Sequence, residues 1–133
     1  PYAGTFKEVG TRVLVAWNAS REATRAVTDA LPLLQQADEV NVVAFNPDGS
    51  PHGEVPGADI ALFLARHGVK VTVSHERGRD IDVGNLLLSR AADMDVNLIV
   101  MGAYGHSRMQ ELILGGATRT ILQSMTAPVL MSH

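Results

Sequence analysis

Cysteine is absent from the 133 residues, which excludes a disulfide framework, a thiolate nucleophile and a Cys-based metal site. No apolar run approaches the ~20 residues that carry a helix across a bilayer, so no membrane partner is expected and the expectation is a soluble, cytoplasmic protein. A basic stripe is missing too: 11 Lys and Arg stand against 14 Asp and Glu. Affinity for nucleic acid comes largely from neutralised phosphates, so no nucleic acid is expected as a main partner. The histidines, His52, His67, His75, His106 and His133, do not fall at metal-ligand spacing, and no metal site is assigned. Nothing pairs a nucleophile with a base, so no catalytic residue is assigned either.

What is present is an alternation of two periods within a length that suits one domain. TRVLVAW (11–17) and VNVVAF (40–45) are apolar, β-branched runs that predict strands buried on both faces. VKVTVSH (69–75) alternates Val69, Val71 and Val73 with Lys70, Thr72 and Ser74, which predicts a strand with one wetter face. NLIVM (97–101) and APVLMS (127–132) complete five strands. Between them lie helical patterns. Ser20 stands where it can cap a helix whose apolar stripe is Ala23, Ala26, Val27, Ala30, Leu31 and Leu34, with Pro32 expected to kink or end it. ADIALFLARH predicts a helix stopped by Gly68. IDVGNLLLSRAADM predicts another with Val83, Leu86, Leu87, Arg90, Ala91 and Met94 on one stripe, and a last helix runs through Ile121 and Leu122. Residues 46–57 read as loop, and residues 1–10 as a lead-in or inter-domain linker before a single domain over 11–133.

Strands alternating with helices through short connections predict right-handed βαβ units and a parallel sheet, a doubly wound α/β fold of the Rossmann-like kind. Two strand orders compete, 2-1-3-4-5 and 3-2-1-4-5. The wetter third strand belongs at an edge, which favours 3-2-1-4-5. Ligands of such sheets sit beyond the carboxyl ends of the strands where the order reverses. Here that crevice falls between the first and fourth strands. It is lined by the turn Trp17-Asn18-Ala19-Ser20 and by the segment MGAYGHSRMQELILGGATRT (101–120), which carries Gly102, Gly105, Gly115 and Gly116.

Glycines after a parallel strand let backbone N–H groups turn toward an anion. The same glycines also serve tight turns and close packing. No G-x-x-x-x-G-K-[ST] occurs, and no G-x-G-x-x-G follows the first strand. In this segment Ser107 reads as a helix cap, while His106 and Arg108 read as solvated side chains. Trp17 reads as packing, and Asp80, Asp82, Asp93 and Asp95 read as capping and solvation around the third helix.

Gly102-x-x-Gly105, nine residues, then Gly115 resembles the G-2x-G-9x-G-[ST] motif of universal stress proteins. VLVAWNAS resembles the family's opening strand and turn, and APVLM its closing strand, so the resemblance covers nearly the whole chain. It implies a five-stranded 3-2-1-4-5 α/β domain, related to adenine nucleotide alpha-hydrolases, with ATP or another adenine nucleotide as ligand and Mg held by the phosphates. Carried over, the nucleotide-binding residues are Ala16, Asn18, Phe45, Met101, Gly102, Gly105, Gly115, Gly116, Ala117 and Thr118. Phe45 would lie near the base, and Asn18 would take the adenosine-side role of an acidic residue.

Two positions depart from the pattern. Gly116 stands where the motif has Ser or Thr, and Asn18 replaces a carboxylate. The implied function is a stress-response regulatory domain that binds nucleotide, with at most slow ATP hydrolysis because no general base or Walker lysine is evident. The alternative is a nucleotide-free, dimerising interaction module of the same fold. In the family the closing strands, here residues 127–132, pair across a two-fold axis, so a homodimer is expected. The lead-in resembles the junction of tandem family members, so the chain is expected to be, or descend from, a second half.

Overall fold

Five strands and four helices are seen in a computed structural model that describes residue 1 and residues 4–46, 57–77, 82–103 and 116–133. In chain order they are β1 (Arg12–Trp17), α1 (Arg21–Gln36), β2 (Glu39–Asn46), α2 (Ala58–Arg66), β3 (Val71–Arg77), α3 (Val83–Asp93), β4 (Leu98–Gly102), α4 (Gly116–Ser124) and β5 (Val129–Ser132). The strands form one sheet in the order β3-β2-β1-β4-β5, and every pair is parallel. The wetter third strand is at an edge, as its alternation predicts.

Two apolar layers sandwich the sheet because strand side chains alternate between faces. Val13 and Val15 of β1, Val40 and Val42 of β2 and Leu98 and Val100 of β4 meet α1 and α2 through Val27, Ala30, Leu34, Ile60 and Leu64. On the other face Leu14, Val43, Ile99 and Met101 meet α3 and α4 through Val83, Leu87, Ala91, Ala117 and Ile121. Leu14, Leu34, Leu64, Leu87, Ile99, Met101 and Ile121 are fully buried. Each such side chain contributes about 1.5–3 kcal/mol by leaving water.

Two local readings are adjusted by the structure. α1 does not end at Pro32 but runs on to Gln36. The ring removes one donor, for the Thr28 carbonyl, and Thr28 and Pro32 are both exposed, so water can serve that carbonyl while Leu34 stays in the core. β3 begins at Val71 rather than Val69. Val69 is taken up by the end of α2: its N–H donates to Leu64 O at 3.0 Å, Gly68 N–H donates to Ala65 O at 3.1 Å, and Gly68 has φ 77°. This is a Schellman cap, in which the residue after the left-handed glycine packs back on the helix. Buried Val69 and Leu64 make that contact layer.

The start of β1 is tied to β4 by one side chain. Oδ1 of Asn97 accepts from the N–H groups of Gly10, Thr11 and Arg12 at 3.1, 3.0 and 3.0 Å. That fixes the register of the two central strands whose far ends form the crevice.

Candidate functional site

A shallow crevice, open to solvent, lies beyond the carboxyl ends of β1, β2 and β4, at the reversal of strand order. It is lined by Ala16, Trp17, Asn18, Ser20, Phe45, Leu87, Met101 and Gly102. Of the residues named from sequence, Ala16, Asn18, Phe45, Met101 and Gly102 are thus brought together on one wall. Gly116, Ala117 and Thr118 form the first turn of α4. Ala117 packs in the same apolar layer as Ala16, Phe45 and Met101. Gly105 and Gly115 lie outside the described residues, as do Ser107, His106 and Arg108.

The walls and the edge differ in chemistry. Ala16, Phe45, Leu87 and Met101 belong to the α3/α4 layer and make an apolar slot. Trp17 lines the crevice and also packs against the apolar layer on the opposite face of the sheet. The polar edge is the turn after β1. Asn18 Oδ1 accepts from Ser20 N–H at 3.2 Å, and Ser20 Oγ accepts from Ala23 N–H at 3.1 Å as the N-cap of α1. Between them Ala19 has φ 58°, the left-handed region that an L side chain enters only at a cost. The Asn18 bond spans this residue and holds it there. Non-glycine residues in that region cluster where a backbone must present groups to a ligand.

The two motif glycines that the structure describes do different things. A Cβ at Gly102 would meet Ala23 N at 2.7 Å and the carbonyl carbon of Glu22 at 2.7 Å. Gly102 therefore lets the end of β4 close against the first turn of α1, which is a packing role. At Gly116 a Cβ would meet none of the described residues within 4 Å, and no positive φ is imposed there. Thr118, two residues on, is fully buried, and its Oγ1 has no hydrogen-bond partner among the described residues. An unpaired buried hydroxyl costs about 1–3 kcal/mol and calls for a reason.

Sequence reasoning placed Ser20 in the turn that lines the crevice, as the structure has it, and missed Leu87, having assigned it to the core. Leu87 carried no signal of this, because reaching the crevice depends on how α3 lies over the sheet.

The profile of the Universal stress protein family matches residues 11–133. A universal stress protein of Synechocystis sp. is 42% identical over 38 residues, which are 29% of this chain and 13% of that protein. A universal stress protein from Archaeoglobus fulgidus superposes with a TM-score of 0.71 at 22% identity, over 93% of this chain and 44% of that one. A second from the same organism, in complex with dAMP, gives 0.62 at 18% identity over 92% and 98% of the two chains. A universal stress protein in complex with cAMP gives 0.61 at 18% identity over 92% and 97%. At these identities the likeness shows the shared fold.

Proposed function

The chain belongs to the universal stress protein family, and from that premise we propose that it binds an adenine nucleotide, ATP foremost, in the crevice at the β1/β4 reversal. The observation that carries this reading is the convergence there of Ala16, Asn18, Phe45, Met101 and Gly102 on one slot. The base would lie between Phe45, Leu87 and Met101, and the sugar along Asn18 and Ser20. The phosphates would run toward the start of α4, where the positive end of a helix dipole and unpaired N–H groups favour anions. The buried hydroxyl of Thr118, without a partner among the described residues, supports this, since a phosphate oxygen at the helix start would satisfy it. Mg, when present, would be held by the phosphates. The complexes of relatives with dAMP and cAMP support an adenine ligand. The role that follows is regulatory: occupancy shifts a conformation or a partner surface, in a homodimer paired through β5.

Calorimetric titration of the chain with ATP tests the reading, and the lack of a described neighbour at Gly116 makes a gain-of-function test available. Gly116→Ser supplies the hydroxyl of the common motif without strain or a clash with any described residue. One modest charge-assisted bond is worth about 1.4 kcal/mol, so ATP affinity should rise roughly ten-fold. Absence of ATP binding by both the parent and the serine variant would overturn the proposal. The nucleotide-free interaction module would then stand, a reading that the packing role of Gly102 favours.

A further inference from the structure

α3 and α4 cover the crevice side of the sheet, and they touch where a side chain is missing. A Cβ at Gly84 of α3 would lie 2.6 Å from Cβ and 2.9 Å from Cγ2 of Thr120 of α4, where ordinary contact is 3.4–4 Å. Gly84 lies within the helix and has no left-handed backbone, so the position answers to Thr120 and not to a turn. Glycine is a poor residue inside a helix, and the close approach is what it allows. Neither Gly84 nor Thr120 lines the crevice, but Leu87, one turn after Gly84 on the same side of α3, does. The start of α3 is fixed by its cap, where Asp82 Oδ1 accepts from Asn85 N–H at 3.1 Å, so a shift at Gly84 is carried to Leu87. Ala117, one turn before Thr120, packs in the same apolar layer as Leu87. The strand order puts Met101 of β4 on the α4 side of the slot and Phe45 of β2 on the far side. The spacing of the two helices therefore sets where Leu87 stands between Phe45 and Met101.

We propose that Gly84 and Thr120 are positioning residues: their contact holds α3 at the distance from α4 that places Leu87 in the slot, and so sets how closely the slot grips a ligand ring. The proposal rests on the adenine-nucleotide reading above. A side chain at Gly84 would part the helices by on the order of 1 Å, and a gap of about 0.5–1 Å forfeits a quarter to a half of the dispersion attraction between packed atoms. Pushed from α4, Leu87 leaves Met101 and crowds Phe45, so a bound ring loses contact on one side and room on the other. Removing the Thr120 side chain misplaces Leu87 as well, because α3 then has nothing to rest against at Gly84. Gly84→Ala combined with Thr120→Gly moves the missing side chain from one helix to the other. That again sets one side chain against one glycine, and exchanging one helical glycine for another leaves helix propensity nearly unchanged.

The experiment combines calorimetric titration with ATP and methyl NMR of the ligand-free protein, on the parent, Gly84→Ala, Thr120→Gly and the double variant. Each single change should weaken ATP binding about ten-fold and displace the Leu87 methyl resonances. The double variant should recover affinity to within about three-fold of the parent and bring the Leu87 resonances back. Two independent losses of helix stability would add instead. Should Gly84→Ala fail to fold, Thr120→Gly and the double variant carry the test, since the double variant must bind the more tightly. Single variants with the parent's affinity, or a double variant no better than Thr120→Gly, would overturn the inference while the adenine-nucleotide reading stood. No ATP binding by the parent would overturn that reading. The Leu87 resonances then decide alone: displacement by Thr120→Gly with return in the double variant upholds the positioning role, and any other result overturns it.

Discussion

Ala19 holds a backbone conformation that its side chain resists, at φ 58° in the turn between β1 and α1. The left-handed region costs a residue with a Cβ about 1–2 kcal/mol. Glycine would relieve that, although it gives back part of the gain through a freer unfolded chain. Ala19→Gly should therefore stabilise the protein by about 0.5–1 kcal/mol, raising Tm by roughly 2–5 °C in a thermal melt. A lower or unchanged Tm would mean that the turn is not strained. Asp95, at φ 50°, is a weaker candidate for the same treatment. Aspartate tolerates this region better, and Arg12 Nε donates to Asp95 O at 2.7 Å while its guanidinium pairs with the carboxylate.

At the scale of elements, the crevice exists because β4 and α1 approach closely at one end. Gly102 sits where a side chain would strike the backbone of Glu22 and Ala23. Rigid backbone cannot yield as a flexible side chain does, so Gly102→Ala should cost about 1–3 kcal/mol by overpacking. Denaturant titration should show a lower midpoint with an unchanged slope. Gly116→Ala, with none of the described residues within 4 Å of the added atom, should leave the midpoint within about 0.5 kcal/mol of the parent. Equal losses at the two positions would show that the approach of β4 to α1 is not what Gly102 serves. The same kind of close contact recurs where α3 meets α4, since a Cβ at Gly84 would lie 2.6 Å from Cβ of Thr120.

For the whole molecule the exposed issue is the β5 edge. Val129, Leu130 and Met131 are half-buried from within and pair only with β4 on one side. Ile99 N–H donates to Pro128 O at 2.9 Å and Ala103 N–H to Ser132 O at 2.8 Å, so alternate residues of the strand face β4. The residues between them, Val129 and Met131, turn their N–H groups to the free edge. An open apolar edge invites pairing with another strand, and two-fold antiparallel pairing of two copies is the expected solution. Met131→Pro deletes one outward donor while sparing the bonds to β4, and proline is tolerated on an edge. Sedimentation of this variant should report the monomer mass where the parent reports a dimer. An unchanged dimer mass in the variant would place the interface elsewhere.

Periodicity and composition by themselves determined the parallel α/β fold, the strand order and the place of the crevice. Each follows from a local rule read along the chain: Lys70, Thr72 and Ser74 put the third strand at an edge, and a reversal of order puts ligands at the strand ends. The resemblance to universal stress proteins, and not these rules, named Ala16, Asn18, Phe45, Met101 and Gly102, which the sheet then gathers at the crevice. Only the tertiary structure decided what Gly102 and Gly116 are for. Glycine in a sequence states that a side chain is missing, not which neighbour requires it; one faces the backbone of α1 and the other meets none of the described residues. It also decided that Leu87 reaches the crevice, that Val69 caps a helix, and that the Asn18 oxygen closes the turn after β1. Each of these depends on a partner distant in sequence or on the direction of a hydrogen bond, and neither quantity has a period that a linear reading can detect.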